Sequence, residues 1–425
     1  MSKTTPENAI SEDEIIAETT ADLDSSWKAA SRNWGHSLHR LSPYIGGFPP
    51  ALAHYFIRRF SDVGDTVLDP FCGGGTTPLE AALNNRKGYG NDAFSYAYVL
   101  SQAKSNPLTT SGFTEYLDIK LNEARYVDNT GMRLLENEDL HVFYSDYTLD
   151  QLLRLREVMY ADDNIAASYL KGIVCGILHG PSNMYLSIQT KDTYSGTANY
   201  VEEYAEENGL ERPERDIRPK ALRKHRLAQK DFVPPWIGDR SRITRTDSRN
   251  LLAEYERESI DLIITSPPYM KTLDYTWNNW IRLWWLKQNR KEEREKLDLT
   301  EDTTKYRRFM QQCLSSMYEV LSPNSAAIMI VGDVQKRLAN GKQTLNTAAI
   351  LAEEARESTS FEVHRIISDA YDLDSRAYVV FNQLKYDQDE DEEKDAIDRC
   401  LILTKGKPDL EHSPDINWKK EYYEM

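Results

Sequence analysis

Asp261-Leu-Ile-Ile-Thr-Ser-Pro-Pro-Tyr269 joins a short apolar run to two consecutive prolines. Leu262 to Ile264 reads as a buried parallel strand. Pro267 and Pro268 stop it and hold the following backbone away from helix. In an open parallel sheet, ligands bind beyond the carboxyl ends of the strands. Ser266 brings a hydroxyl to that position, the next residues bring carbonyls that cannot fold back into a helix, and Tyr269 brings a ring. That set suits gripping a flat heterocycle by its amino group and its face. Taken alone, the stretch is equally a proline-rich cap on a strand, so other parts of the chain must decide.

A second strand-to-turn unit lies upstream. Gly64-Asp-Thr-Val-Leu-Asp69 is a short strand that runs into Pro70-Phe-Cys-Gly-Gly-Gly-Thr-Thr77, and a helix is expected from about Pro78. Strand, glycine turn and helix together let a ligand approach backbone at a helix N-terminus. No lysine follows the glycines as a phosphate-gripping loop demands, and G-x-G-x-x-G is absent, so the expected cofactor lacks a phosphate chain. Lys87-Gly-Tyr-Gly-Asn-Asp92 then puts an acid at the end of another strand, the usual place for a ribose diol. Asp69, Gly73, Gly75 and Asp92 describe a nucleoside cofactor held by carboxylates. The competing reading, a purely structural tight turn, loses ground because both strands end in an acid.

Composition sets limits. With 425 residues, 40% apolar and 10% aromatic, the chain can bury a large core. A formal charge of −16 argues against a protein that coats nucleic acid, so any such contact needs a local basic surface. Cys72, Cys175, Cys313 and Cys400 are far apart, which indicates neither a disulfide framework nor a metal site. The acidic start (residues 1–25) reads as a disordered tail without a signal peptide, no apolar run reaches membrane-spanning length, and a cytoplasmic location is expected.

Between about 105 and 240 the pattern turns helical. Thr148-Leu-Asp-Gln151 reads as a capping box, and Asn164 to His179 as a helix closed by a dipole-compatible histidine. Arg212 to Lys230 is a basic run; it reads as a solvated helix face or, through Arg223, Lys224 and Arg226, as the best phosphate contact in an acidic chain. Strand-and-helix alternation resumes with Ile243 to Asp247, then the Tyr306 to Leu321 helical stripe and the Ala326 to Val331 strand. Tyr378 to Leu384 and Cys400 to Thr404, linked by the acidic Asp387 to Asp395, read as a closing antiparallel hairpin. The expected fold is α/β: a doubly wound, mostly parallel sheet ending in that hairpin, with a mainly helical insertion. The expected divisions are a tail (1–25), a cofactor-binding half (26–104), an insertion for target recognition (105–240), a catalytic half (241–410) and a second tail (411–425).

These motifs resemble those of the amino-methylating DNA methyltransferases that use S-adenosylmethionine. Asp69-Pro-Phe-Cys-Gly-Gly-Gly-Thr76 resembles their cofactor loop, Thr265-Ser-Pro-Pro-Tyr269 their catalytic tetrad, Pro49-Pro50 the motif before the cofactor loop, and Leu321 to Gly332 the late strand. The resemblance covers about 40–104 and 241–405, and the insertion falls before the Asp247 strand. It implies that Ser266, Pro267, Pro268 and Tyr269 are catalytic, with Ser266 Oγ and the Pro267 carbonyl each accepting a hydrogen bond from an exocyclic amine and Tyr269 stacking on the base. It further implies that Asp69, Pro70, Phe71, Gly73, Gly75, Thr76, Asp92 and Asp247 hold the cofactor. Transfer would be direct, onto a base turned out of double-stranded DNA, with no metal. No Pro-Cys dipeptide is present, which argues against carbon-5 methylation. Serine at the first tetrad position favours N4 of cytosine; the alternatives are N6 of adenine, an RNA base, or a catalytically idle DNA-binding subunit. A restriction or defence partner would fit such an enzyme.

Overall fold

The computed structural model describes residues 34–128, 139–268, 274–297, 300, 302–338, 341–371 and 396–410. The tails, Tyr269, the Tyr378 to Leu384 strand and the acidic link, all expected from the sequence, lie outside them.

Pro50 opens α1 (Pro50–Phe60), whose Leu52, Tyr55, Phe56 and Ile57 are buried. Proline at the first helical position sacrifices only an amide that would lack a partner anyway. Strand β1 (Thr66–Asp69) leads through the glycine turn into α2 (Thr76–Leu83), two residues earlier than the sequence suggests because Gly75, at φ 75°, itself caps the helix. β2 (Lys87–Asn91), α3 (Ser95–Ser105) and α4 (Thr110–Ala124) follow. The insertion continues with α5 (Asp139–Phe143), α6 (Asp146–Tyr160), α7 (Ile165–Cys175), α8 (Ala198–Glu207) and α9 (Ile217–Ala228). Next come β3 (Ser241–Thr244), β4 (Ile260–Thr265), α10 (Tyr275–Asn278), α11 (Trp280–Trp285), α12 (Arg290–Lys296), α13 (Thr303–Val320) and β5 (Leu321–Gly332). A β6 (Val334–Leu338) and β7 (Gly341–Leu345) hairpin, α14 (Thr347–Ser358), β8 (Glu362–Tyr371) and β9 (Ala396–Lys405) complete the chain.

Seven strands form one sheet in the order β3-β2-β1-β4-β5-β9-β8. β3 to β5 are parallel, and β9 lies antiparallel between β5 and β8. The closing antiparallel pair is therefore present, but its first strand is Glu362–Tyr371. The chain order reverses beside β1 and β4, which is where an open α/β sheet forms its crevice. Alternate residues of these strands feed opposite faces. Val67, Leu262 and Ile264 pack with α1, whereas Leu68 and Ile263 pack with α13 and α14. Burying each such side chain stabilises the fold by about 1.5–3 kcal/mol.

A third apolar cluster joins α2 and α3 to the insertion helices and α11. Gly172 in α7 permits this closeness, since a Cβ there would lie 2.5 Å from that of Ala103. Two local expectations need correction. Ser145 caps α6, while Thr148 lies inside the helix and bonds the Arg215 backbone. α7 ends at Cys175, so His179 caps nothing; it is buried between Ser187 and Thr190, and burial, then the Arg282 charge, lowers its pKa to about 3.

The tightest backbone approach is at Gly88, where a Cβ would sit 2.0 Å from the Pro78 carbonyl oxygen. Neither β2 nor α2 can yield without shifting the glycine turn. Gly88→Ala is expected to cost about 3 kcal/mol or more and to lower the thermal midpoint sharply, whereas Gly47→Ala, with open space around it, should leave the midpoint unchanged.

Candidate active site

The site is built where β1, β2, β3 and β4 end. Val67 pairs with Leu262 and Leu68 with Ile263, so the residues after β1 and after β4 emerge side by side. Thr265 Oγ1 donates to Asp69 Oδ1 at 2.6 Å, and Thr77 Oγ1 donates to the Ile264 carbonyl at 3.1 Å. These bonds fasten the glycine turn to the strand that carries Ser266. A cleft of about 870 Å³, open mouth included, runs between them.

Of the residues expected from the sequence, Asp69, Phe71, Gly73, Thr76, Asp92, Asp247, Ser266 and Pro268 all line this one cleft. The others do not. Gly75 holds the left-handed turn behind it, and the Pro70 carbonyl accepts from Ser248 Oγ at 2.6 Å. Pro267 is buried, and Tyr269 lies outside the described residues. Arg223, Lys224 and Arg226 are on α9 and line no part of the cleft. Arg223 and Arg226 are exposed, but the Lys224 ammonium donates to the Arg40 carbonyl at 2.9 Å and burial lowers its pKa to about 8.

Glycine is required in the turn for two reasons. Gly73 and Gly75 have positive φ, and a Cβ on Gly73 would come within 2.7 Å of the Tyr44 ring. Asp92 Oδ2 accepts from the Gly73 amide at 2.8 Å and Oδ1 from the Phe94 amide at 2.9 Å, leaving lone pairs on both oxygens. Asn91 ties the ends of β1, β2 and β3 together: its amide donates to the Pro70 and Thr246 carbonyls and its carbonyl accepts from the Thr246 amide. Asp247 is differently placed, being paired with Arg249 through both oxygens.

The electrostatics are unbalanced. Burial raises the Asp69 carboxyl to about 7, against opposing hydrogen bonds from Thr265 and the Phe71 amide. Burial likewise raises Asp92 to about 6. Neither forms an ion pair among the described residues. Two under-compensated carboxyls facing a cleft with aromatic walls suit a ligand that carries positive charge and vicinal hydroxyls. Behind the turn, Lys104 is buried and donates to the Gly74 carbonyl, and burial and the neighbouring Lys224 charge lower its pKa to about 7.

Sequence reasoning did not single out Tyr44, Phe48, Phe94 or Phe309, which with Tyr275 supply most of the aromatic wall. Tyr44 and Tyr275 are stacked with centroids 6.4 Å apart. They come from segments remote in the chain, and nothing in their local pattern distinguishes them from core aromatics. The sequence also offers Asp274 to Trp277 with Trp280, Trp284 and Trp285 as walls of a base pocket or as a core stripe; of these Tyr275 lines the cleft, Trp277, Trp280 and Trp284 do not, and Trp285 is buried in the core.

Residues 3–103 match a protein-family profile described as DNA methylase, of the N6/N4 methyltransferase type. The chain is 24% identical over 357 residues to the type II methyltransferase M.BsoBI of Geobacillus stearothermophilus, covering 78% of this chain and 68% of that one. It is 34% identical over 88 residues to M.MjaII of Methanocaldococcus jannaschii and 53% identical over 45 residues to the orphan methyltransferase M.BamHII of Bacillus amyloliquefaciens. Each of those two stretches spans 17% of the relative's length. Among solved structures, a putative DNA modification methylase of Thermus thermophilus, complexed with S-adenosyl-L-methionine, has 18% identity and a TM-score of 0.24 over 40% of this chain and 54% of that one. The chain is thus similar to DNA methylases over residues 3–103, and to a type II methyltransferase over most of its length.

Proposed function

We propose that this protein transfers a methyl group from S-adenosylmethionine to the exocyclic N4 amine of a cytosine turned out of double-stranded DNA. One observation carries the reading: the glycine turn, the buried Asp69 and half-buried Asp92 carboxyls and the Ser266-Pro267-Pro268 turn open into a single cleft. The cofactor supplies a sulfonium-bound, electrophilic methyl group. Asp69, which forms no ion pair among the described residues, suits the positive methionine end, and Asp92 retains acceptors for the ribose hydroxyls. Phe71 and Phe309 stand at the same cleft for the adenine ring.

An exocyclic base amine is a weak nucleophile because its lone pair is delocalised into the ring. Ser266 Oγ and the Pro267 carbonyl each take one hydrogen bond from that amine. They draw the nitrogen toward tetrahedral geometry and aim its lone pair along the cleft, a matter of orientation and fixed dipoles. The amine is unreachable inside a duplex, so the base must be extruded. Tyr269 is the proposed stacking partner. Serine at the first tetrad position favours cytosine; adenine N6 is the second reading, supported by the same similarity. Residues 105–240 are proposed to contribute target recognition, and Arg223 and Arg226 to contact phosphates. A companion restriction enzyme is in keeping with the type II relatives.

The direct test is to incubate the protein with labelled S-adenosylmethionine and DNA, digest to nucleosides and identify the product. N4-methylcytosine is expected; N6-methyladenine would replace the cytosine assignment, and no labelled base would reject the activity. Ser266→Ala should lower kcat by about 100-fold or more with cofactor affinity retained.

Asp69 also predicts a pH dependence. Its pKa of about 7 lies above the unfolded value, so the free protein binds a proton there that a cationic ligand must expel. Cofactor affinity measured by calorimetry should therefore weaken as pH falls from 8 to below 7, with proton release on binding. Asp69→Asn should abolish that part of the dependence.

Charge reversal is not needed to test the basic helix. Replacing Arg223 and Arg226 by alanine should reduce the slope of log K against log salt by about 1.8 if each meets one phosphate. An unchanged slope would remove them from the interface.

A further inference from the structure

A second cleft, about 1620 Å³ with its mouth included, lies across the wall made by α10 and α12. α10 gives Tyr275 to the first cleft and Trp277 to this one; α12 gives Lys296 to the first and Arg290 to the second. The second cleft thus begins at α10, the first helix after the double proline. Its character is unusual for so acidic a chain. Three rings each carry a cation on one face: Arg290 lies 4.6 Å from the Trp277 centroid, Arg156 4.7 Å from that of Trp284, and Lys287 4.5 Å from that of Tyr160. Trp277 is 39% exposed and Tyr160 59%, so large aromatic surface is left in water. Lys287 also pairs with Glu157, whereas Arg290 has no carboxylate partner among the described residues. The N-terminus of α8, at Thr197 and Ala198, faces the same space and adds partial positive charge.

Rings and cations together select the occupant. A purely acidic peptide would meet the cations and leave the rings wet. A paired base keeps its faces stacked within the duplex, whereas an unpaired one offers a free π-face and its phosphates bring the complementary charge. We propose that this cleft binds unpaired nucleotides of the DNA strand adjoining the target base, with bases on Trp277 and Trp284 and phosphates on Arg156, Lys287 and Arg290. Extruding a base also ends its stacking on the neighbouring nucleotides, whose π-faces then open beside the target. The inference rests on the proposed methyltransferase reading for the identity of the strand.

The test uses the full chain with S-adenosylhomocysteine present. A fluorescein-labelled strand of about 12 thymidines is compared by anisotropy with one of equal length and charge whose central units are abasic. The unmodified protein should prefer the thymidine strand. Trp277→Ala should weaken that strand's binding by about fivefold or more and leave the abasic strand unaffected, and Trp277→Phe should restore most of the loss. Arg290→Gln should weaken both strands and reduce the salt slope by about 1. On duplex substrate, Trp277→Ala should raise KM for DNA with kcat unchanged. Equal binding of the thymidine strand by protein and variant, or equal loss on both strands, overturns the proposal; so does competition by a glutamate dodecapeptide as strong as by the thymidine strand. Trp277-dependent strand binding without methylation of any DNA would leave this site standing and remove the methyltransferase reading. Methylation that ignores Trp277 would do the reverse.

Discussion

The pairing of β1 with β4 is the constraint on which the rest depends. These strands are separated by almost two hundred residues yet are fastened at both ends. At the entry, the Thr66 amide donates to Asp261 Oδ2 at 2.8 Å; at the exit, Thr265 Oγ1 donates to Asp69 Oδ1 at 2.6 Å. Between them, Val67 with Leu262 and Leu68 with Ile263 bury side chains on both sheet faces. A one-residue slip would turn every one of these side chains to the wrong face and separate Asp69 from Thr265. The apolar faces therefore set the register, and the register sets the distance between the two turns that share the cleft.

The same bond has an electrostatic consequence. Thr265 satisfies one oxygen of a carboxyl that burial makes costly to ionise. In the ligand-free protein, stability contributed by this group falls as pH rises from the ordinary carboxylate range toward 7, because the folded chain retains a proton the unfolded chain has lost. A cationic ligand reverses that balance. The cleft thus stores a preference for positive charge in a chain whose overall charge would give only a diffuse one.

Support for the turn comes from the segment that precedes β1. Glu80 in α2 is completely buried; burial would raise its pKa, but hydrogen bonds from His39 and His54 hold it at about 2. This carboxylate holds α1 and the short helical turn at Ser37–Arg40 onto α2. Tyr44 lies in the connection between them, against Gly73 and Gly74, which is why the turn tolerates no side chain there. Breaking a buried charged network of this kind by removing one partner costs more than the pair contributes.

The glycine turn, the double proline and the acids at the ends of β1 and β2 were legible because each is a local backbone requirement. Glycine is needed where φ is positive, proline ends a strand, and alternation marks a buried one. The closing antiparallel pair was legible as a pattern, but β8 as the partner of β9 was not, because the apolar positions of Glu362–Tyr371 are interrupted by charged residues; the expected Tyr378 to Leu384 strand lies outside the described residues. The caps of α6 and the end of α7 failed for another reason: Thr148 and His179 have capping chemistry, and only packing against Arg215, Ser187 and Thr190 gives them other partners. What the sequence alone determined was the set of backbone turns and the α/β order that carries them. What tertiary structure decided was which turns face one another, which aromatics become walls, and which lysine of the basic run turns inward. Those depend on contacts between segments tens to hundreds of residues apart, whose geometry no local pattern encodes.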